Sequence, residues 1–176
     1  EKRFHVYRYA VGQSEAIAPG ATLLLDMEER GDSVTTQVTV LPAGNSTKTG
    51  NPAVHVALVE RSVAYTGANG IPLHAFVVRW LAGGAAGTRV SWSARGETVR
   101  NVISLADVER AIREYLDNPL VQPSWPKRRT TFAGWRARPE HLDRSNLAVV
   151  AWVQDMTSNE ILQSAYREVT LGPGSR

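Results

Sequence analysis

The stretch LAVVAWVQDMTSNEILQSAY, residues 147–166, decides the fold class. Its first seven residues are continuously apolar and include several β-branched side chains, a pattern typical of a central strand covered on both faces. The small and polar residues 154–159 that follow favour a turn, because such side chains bond to their own backbone. Residues 160–169 fit either a helix or a returning strand. We expect the strand, which completes a hairpin.

Other short apolar runs predict further strands, separated by turns that contain glycine and proline. The alternation is clearest in residues 33–41, where four β-branched residues share one face. The predicted strands are residues 4–9, 21–28, 33–41, 54–60, 73–81 and 89–94. Many short strands with a single helix favour a mainly β fold of the β-sandwich class.

The single helix is predicted over residues 105–117. Ser104 is a suitable N-cap, and Asp107 lies three residues later in an arrangement like a capping box. Apolar residues recur at helical spacing along one face. They are Leu105, Val108, Ala111, Ile112, Tyr115 and Leu116. The prolines and aromatic residues of 118–146 then predict a long irregular excursion over the surface of the sandwich.

The length and hydropathy of the chain bound its organisation. A chain of 176 residues suffices for one domain with a substantial core. We predict an N-terminal arm at 1–20, a single β-sandwich domain at 21–170 and a C-terminal tail at 171–176. No apolar run approaches the roughly 20 residues of a membrane helix. The first residues lack a methionine and a long apolar segment, which is typical of a mature or excised chain.

The composition excludes several kinds of chemistry. The chain has no cysteine, which excludes disulfides, thiolate metal sites and cysteine nucleophiles. Its four histidines show no metal-binding spacing, so we expect no metal and no cofactor. No nucleotide-binding or hydrolase motif is present, and we therefore expect no enzyme. A formal charge of +3 and a pI near 9.5 indicate nucleic-acid binding only if the charges cluster.

Basic charge clusters once, between residues 127 and 144. Arginine and aromatic side chains both contribute strongly to protein interfaces. The candidate partner-binding residues are Lys127, Arg128, Arg129, Trp135, Arg136 and Arg138. Such a surface favours an acidic protein partner or anionic lipid headgroups over nucleic acid, because Glu140 and Asp143 interrupt the charge. The alternative interpretation is a solvated basic loop.

A second candidate site is a polar cluster on and around the predicted strands 54–60 and 73–81. It consists of Glu60, Tyr65, His74 and Arg79. Since His74 and Arg79 lie five positions apart, they point to opposite faces of a regular strand and share a site only if the strand bends. The four residues therefore form either a binding site or a structural network that orders a loop.

Several of these segments resemble a known family. The likeness rests on residues 56–60, 65–70, His74, 77–79, 149–155 and 161–165. They are similar to the C-terminal β-sandwich of secreted bacterial thioredoxin-like proteins related to the Omp28 group. The resemblance implies an immunoglobulin-like β-sandwich in a periplasmic or extracellular protein. The thioredoxin portion of that family, with its Cys-x-x-Cys motif, is absent from this chain, so the resemblance implies no redox activity here.

Two functional hypotheses follow. The first is a non-catalytic extracytoplasmic interaction or accessory domain, which docks on a protein partner and could be a peripheral subunit of a membrane-associated complex. The second is the substrate-recognition half of a thioredoxin-like or hydrolytic enzyme, with the region of His74 and Arg79 as its site. We prefer the first, because the sequence shows no catalytic spacing.

Overall fold

Two antiparallel sheets form most of the computed structural model, which describes residues 2–43, 50–65, 70–117 and 140–170. The strands are β1 (Ala21–Arg30), β2 (Ser33–Pro42), β3 (Pro52–Ala64), β4 (Leu73–Leu81), β5 (Thr88–Arg89), β6 (Glu97–Ser104), β7 (Leu147–Asp155) and β8 (Ile161–Glu168). The smaller sheet has the order β1-β2-β6, and the larger has the order β4-β3-β7-β8 with β5 beside β3. The predicted mainly β fold of the β-sandwich class is confirmed.

The described residues also form two α-helices, α1 (Lys2–Glu15) and α2 (Leu105–Asp117). The hydroxyl oxygen of Ser104 accepts a hydrogen bond from the backbone N–H of Asp107 (3.2 Å), which confirms the predicted N-cap. One stripe of α2 is buried, namely Leu105, Val108, Ile112 and Leu116. Ala111 and Tyr115, which were expected in this stripe, are exposed. The helix therefore packs through a narrower face than its sequence suggests.

The segment 147–166 forms the predicted hairpin. Strand β7 lies between β3 and β8, which confirms it as a central strand, and the returning segment is a strand. In the turn, the carbonyl of Asp155 accepts a hydrogen bond from the N–H of Asn159 (2.7 Å), and its carboxylate accepts one from Thr157 (2.8 Å). The bond from Thr157, with a further one from the N–H of Asn51, holds the pKa of the Asp155 carboxyl below its ordinary value. The polar turn residues thus close the hairpin as their composition predicts.

The core lies between the two sheets and beneath α2. Residues Val54, Val56 and Leu58 of β3 face it, together with their cross-strand partners on β7. Paired residues of an antiparallel ladder share a face, so the alternate residues of both strands point to the opposite side of the larger sheet. That outer side is also apolar near its centre, where Ala57, Val59 and Ala148 form a separate buried cluster.

Three predictions of secondary structure are wrong. Residues 4–9 lie within α1 rather than in a strand, so the chain has a second helix besides the predicted one. Residues 89–94 are not a strand: only Thr88–Arg89 pair with β3, and the chain then turns, with the N–H of Gly96 bonded to Ser93. The sequence pattern also misses β6, where Asn101 interrupts the apolar alternation. Of the predicted excursion 118–146, residues 118–139 lie outside the described residues.

The edge strand β4 is irregular at two positions. Phe76 has a φ of 51°, a backbone conformation that a bulky side chain rarely adopts. The pairing of β4 with β3 also shifts between Leu58 and Val59, which leaves Arg79 as an extra, bulged residue. The edge of the larger sheet is therefore bent twice within nine residues.

The connection before β5 packs tightly on β3 through Gly87. This glycine has a φ of 62° and a ψ of −165°, a combination essentially restricted to glycine. A Cβ added here would lie 2.8 Å from the carbonyl oxygen of Val54 and 2.8 Å from Cε1 of His55. Both the backbone conformation and the close approach therefore require glycine.

We predict that Gly87→Ala lowers the free energy of unfolding by more than about 2 kcal/mol, because strain and overpacking add. The matched control is Gly84→Ala, where φ is also positive (60°) but nothing lies within 4 Å of the added Cβ. That change should lower the free energy of unfolding only by the cost of placing alanine in a left-handed backbone conformation, about 1 kcal/mol. Urea denaturation of the two variants measures the difference, and equal losses would contradict the role of the packing.

Candidate functional site

The structure divides the predicted polar cluster into two pairs. Glu60 binds Arg79, and Tyr65 binds His74. The bend that the sequence required is the bulge at Arg79, but this bulge brings Arg79 to Glu60 rather than to His74. The structure therefore brings the four residues together as two pairs.

The ion pair of Glu60 and Arg79 is almost completely buried. The two side chains are 5% and 10% exposed, and Nε of Arg79 donates to one carboxylate oxygen of Glu60. The other carboxylate oxygen accepts a hydrogen bond from the backbone N–H of Asp143 (2.9 Å). Buried charges are tolerated when they are paired and hydrogen-bonded in this way.

The same contacts fasten residues 140–146 to the sandwich. The N–H of Leu142 donates to the carboxylate of Glu109 on α2 (3.1 Å), and Arg144 forms an ion pair with Asp32 in the turn between β1 and β2. The side-chain amide of Asn146 donates to the carbonyl of Ser62 on β3. Together with Glu60, these bonds fix the point at which the chain enters β7. The geometry of Glu60 and Arg79 thus supports a structural role.

The second pair stabilises the end of β3. Nε2 of His74 lies 2.9 Å from the carbonyl oxygen of Tyr65, and the two rings lie 6.1 Å apart at an angle of 37°. The backbone N–H of Tyr65 also donates to the carbonyl of Pro72 (3.0 Å). Both bonds close the connection from β3 to β4. This pair therefore also orders a loop.

The remaining sequence-based candidates give no site in the described part of the chain. Lys127, Arg128, Arg129, Trp135, Arg136 and Arg138 all lie outside the described residues. Among residues 2–43, 50–65, 70–117 and 140–170, no three His, Asp or Glu side chains come together as metal ligands would. The absence of a metal and of a cofactor stays a prediction. No helix in these ranges has the length and hydropathy that a bilayer crossing needs.

An apolar groove of about 570 Å³ lies on the outer face of the larger sheet. Its lining comes from all four main strands of that sheet. The lining residues are Ala57, Val59, Phe76, Val78, Val150, Trp152, Ser164, Ala165 and Tyr166. A contiguous exposed apolar surface of this kind marks an interaction site more often than scattered apolar residues do.

Small side chains form the floor of the groove and large ones form its walls. Ala57 and Val59 are buried in the floor, whereas Val78 is 57% exposed and Tyr166 is 46% exposed. Phe76 and Tyr166 meet edge to face across the groove, with ring centroids 6.0 Å apart. The unusual φ of Phe76 thus places an aromatic ring over a face of the sheet that is otherwise built from small residues.

A buried histidine adjoins this groove. His55 is 2% exposed, and its ring stacks on that of Trp152 at 4.8 Å with an angle of 3°. Within the described part of the chain, Nε2 of His55 has no hydrogen-bond partner. Burial lowers the pKa of His55 below its ordinary value of 6.5, because the charged ring would lose its hydration. The histidine therefore packs as a neutral ring beneath the groove.

The sequence carries an indirect sign of the groove. Residues 54–59 and 147–153 are apolar on both faces, which predicts a cover on each side of these strands. The described residues supply that cover on the inner face, through the smaller sheet and α2. On the outer face they leave Val78 and Tyr166 half exposed. The outer residues of these two strands are themselves buried, so the exposed apolar surface lies on the flanking strands β4 and β8.

Comparison with solved structures supports the fold. The match covers 88% of this chain and 91% of the other chain, with a TM-score of 0.51 and 13% sequence identity. The other chain is a crystallised domain of the outer membrane lipoprotein Omp28 from Porphyromonas gingivalis. At this identity the likeness to Omp28 shows a related fold. The immunoglobulin-like topology stays a prediction. No protein-family model and no curated protein sequence matches the chain.

We predict that Glu60→Gln lowers the free energy of unfolding by about 3–5 kcal/mol, because it leaves the charge of Arg79 buried without a counter-ion. The double variant Glu60→Gln/Arg79→Met should lose less than the sum of the two single variants, because both charges are gone. Arg30→Gln is the control: it breaks the exposed pair with Glu28 and should cost less than about 0.5 kcal/mol. Additive losses in chemical denaturation would show that Glu60 and Arg79 act independently.

We also predict that acid destabilises the fold through His55. Its folded-state pKa is lowered, so below about pH 6.5 the unfolded chain takes up a proton first and the free energy of unfolding falls. Above this pH the contribution of neutral His55 to stability is fully present. Below it, the free energy of unfolding falls by at most about 1.4 kcal/mol per pH unit. His55→Gln should flatten the decline between pH 7 and pH 5. Exposed His141→Gln should keep it, and an unchanged slope in the His55 variant would disprove the assignment.

Proposed function

We propose that this chain is a non-catalytic interaction domain of an extracytoplasmic protein, and that it binds a protein partner through the apolar groove. The groove itself carries the proposal. It brings half-exposed Val78, Phe76 and Tyr166 together on one face of the larger sheet. Binding a protein there would remove this apolar area from water, which is the main favourable term in protein association.

The state of the polar side chains supports a non-catalytic role. Glu60 and Arg79 are occupied by each other and by the backbone of Asp143, and His74 is bonded to a backbone carbonyl. The alternative is the substrate-recognition half of an enzyme, which would need polar groups that orient a substrate. In the described lining of the groove, the side-chain oxygens are those of Ser164 and Tyr166. A surface with so few polar groups fits a protein partner better.

The structural likeness supports an extracytoplasmic location, since the similar domain belongs to an outer membrane lipoprotein. We extend the proposal to a peripheral subunit of a membrane-associated complex. In that setting the basic residues 127–138 would add a second contact, with an acidic protein surface or with anionic headgroups. The groove would provide the apolar contact, and the basic segment would provide orientation.

The test is a pair of valine-to-lysine variants in the full-length protein, purified under native conditions from its own host. Val78→Lys places a charge in the groove, whereas Val102→Lys places one on β6 of the other sheet. The two valines are 57% and 58% exposed, so the control is matched. We expect Val78→Lys to lose a stoichiometric partner protein at least about tenfold, because a buried charge without a counter-ion opposes binding.

Quantitative mass spectrometry measures the loss, and calorimetry with the purified partner then gives the affinity and stoichiometry. Val102→Lys should bind like the unmodified protein. Equal binding by both variants would show that the partner contacts another surface. A protein that associates with nothing, itself included, would contradict the interaction role.

A further inference from the structure

We propose that the partner in the groove is helix α1 of a second copy of this chain, so that two copies exchange their N-terminal helices. This inference rests on the proposed function, because it names the protein that occupies the same groove. Two surfaces of one chain carry it: a helix whose described side chains are exposed, and a sheet face on which Phe76, Val78 and Tyr166 are about half exposed.

Helix α1 makes little use of its apolar residues within one copy. All of its described side chains are exposed, with Phe4 at 66%, Tyr7 at 70% and Val11 at 57%. A helix of 14 residues is only marginally stable in water and gains most of its stability from packing an apolar face. In its described position, α1 therefore does not bury the apolar face whose packing would stabilise it.

One stripe of α1 matches the groove in length. Phe4, Tyr7 and Val11 follow the spacing i, i+3, i+7, which places them along one face of the helix. They span about 11 Å along the axis. The groove crosses from β4 to β8 over three strand spacings, about 14 Å. The rings of Phe76 and Tyr166 meet across this width, so the three apolar side chains would pack against these rings and against exposed Val78.

The chain connects α1 to the rim of the groove. After α1, the backbone N–H of Gly20 donates to the carbonyl of Leu162 on β8 (3.0 Å). Leu162 lies two residues before Ser164, which lines the groove. Residues 16–20 span at most about 18 Å. Each helix therefore leaves its own copy beside a groove and can reach the groove of a copy placed face to face with it.

The linker, residues 16–20, favours packing of α1 on the groove of another copy over packing on the groove of its own copy. Pro19 restricts Ala18 to extended conformations, and Pro19 and Gly20 form a turn-favouring pair, so the linker is short and conformationally restricted. Short hinges of this kind promote the exchange of terminal elements between copies. A twofold arrangement fills both grooves at once and leaves no unpaired surface that could propagate.

The first test measures the oligomeric state of the full chain by size-exclusion chromatography with light scattering. The mass should rise with concentration from that of one copy, 19.3 kDa, toward twice that value. Tyr7→Ala and Val78→Lys should each raise the dimer dissociation constant at least tenfold. Tyr9→Ala is the matched control for the helix, because Tyr9 is also 70% exposed but lies on the opposite face. Val102→Lys is the control for the groove.

Three results would overturn the inference: a monomer at every concentration, a dimer that Tyr7→Ala and Val78→Lys leave intact, or a dimer that Tyr9→Ala weakens while Tyr7→Ala does not. These results are distinct from a failure of the proposed function. If the chain is monomeric and Val78→Lys still abolishes binding of another protein, the groove is an interaction site and its occupant is not α1.

The second test distinguishes packing of α1 on another copy from packing on the groove of its own copy. Because the chain has no cysteine, only the introduced cysteines can form disulfides. Tyr7→Cys and Ser164→Cys are made in separate, differently tagged copies, mixed and mildly oxidised. If the helices are exchanged, a disulfide should form between differently tagged copies faster than between two copies that carry the same tag. In a single chain that carries both cysteines, a disulfide that forms only within the chain, at a rate independent of concentration, would show closure and overturn the inference.

Discussion

The ladder between β3 and β7 is the constraint on which the rest of the structure depends. Nine residue pairs, from Pro52 and Asp155 to Glu60 and Leu147, join two strands that are apolar on both faces. In most strands the register is set by the contrast between an apolar and a polar face. That contrast is missing here, so polar residues must set the register. A shift by one residue would move the N–H of Asp143 away from Glu60 and would move His55 off Trp152.

Glu60 and His55 both make contacts that a shifted ladder would lose. Glu60 lies on the inner face and His55 stacks on Trp152 on the outer face, so each side of the ladder has a buried polar residue whose contacts depend on the register. The Glu60 carboxylate also holds Asp143, and thereby the segment that leads into β7. The residues that most resemble an active site in the sequence are joined in pairs, Glu60 with Arg79 and Tyr65 with His74. The surface that remains for function is apolar.

The sequence predicts what is local and misses what depends on distant parts of the chain. The hairpin around Asp155 and the cap at Ser104 follow from residues within a few positions, and both are confirmed. Helix α1 is predicted as a strand because its apolar residues fit both periods, and its described side chains are exposed, so burial does not distinguish the two. The pairing of Glu60 with Arg79 depends on a bulge, and the groove depends on which face of a sheet stays uncovered. Neither property can be seen in one segment.

The double bend of β4 has a consequence for how this domain can assemble. A straight edge strand beside an exposed apolar face offers backbone N–H and C=O groups to the next molecule and supports open-ended growth into fibres. The left-handed backbone at Phe76 and the bulge at Arg79 disrupt that row of groups. The β4 edge therefore opposes extension of the sheet strand by strand, whereas association through the face of the sheet stays possible. The irregular β4 edge thus lets the larger sheet keep an exposed apolar face while opposing open-ended growth at that edge.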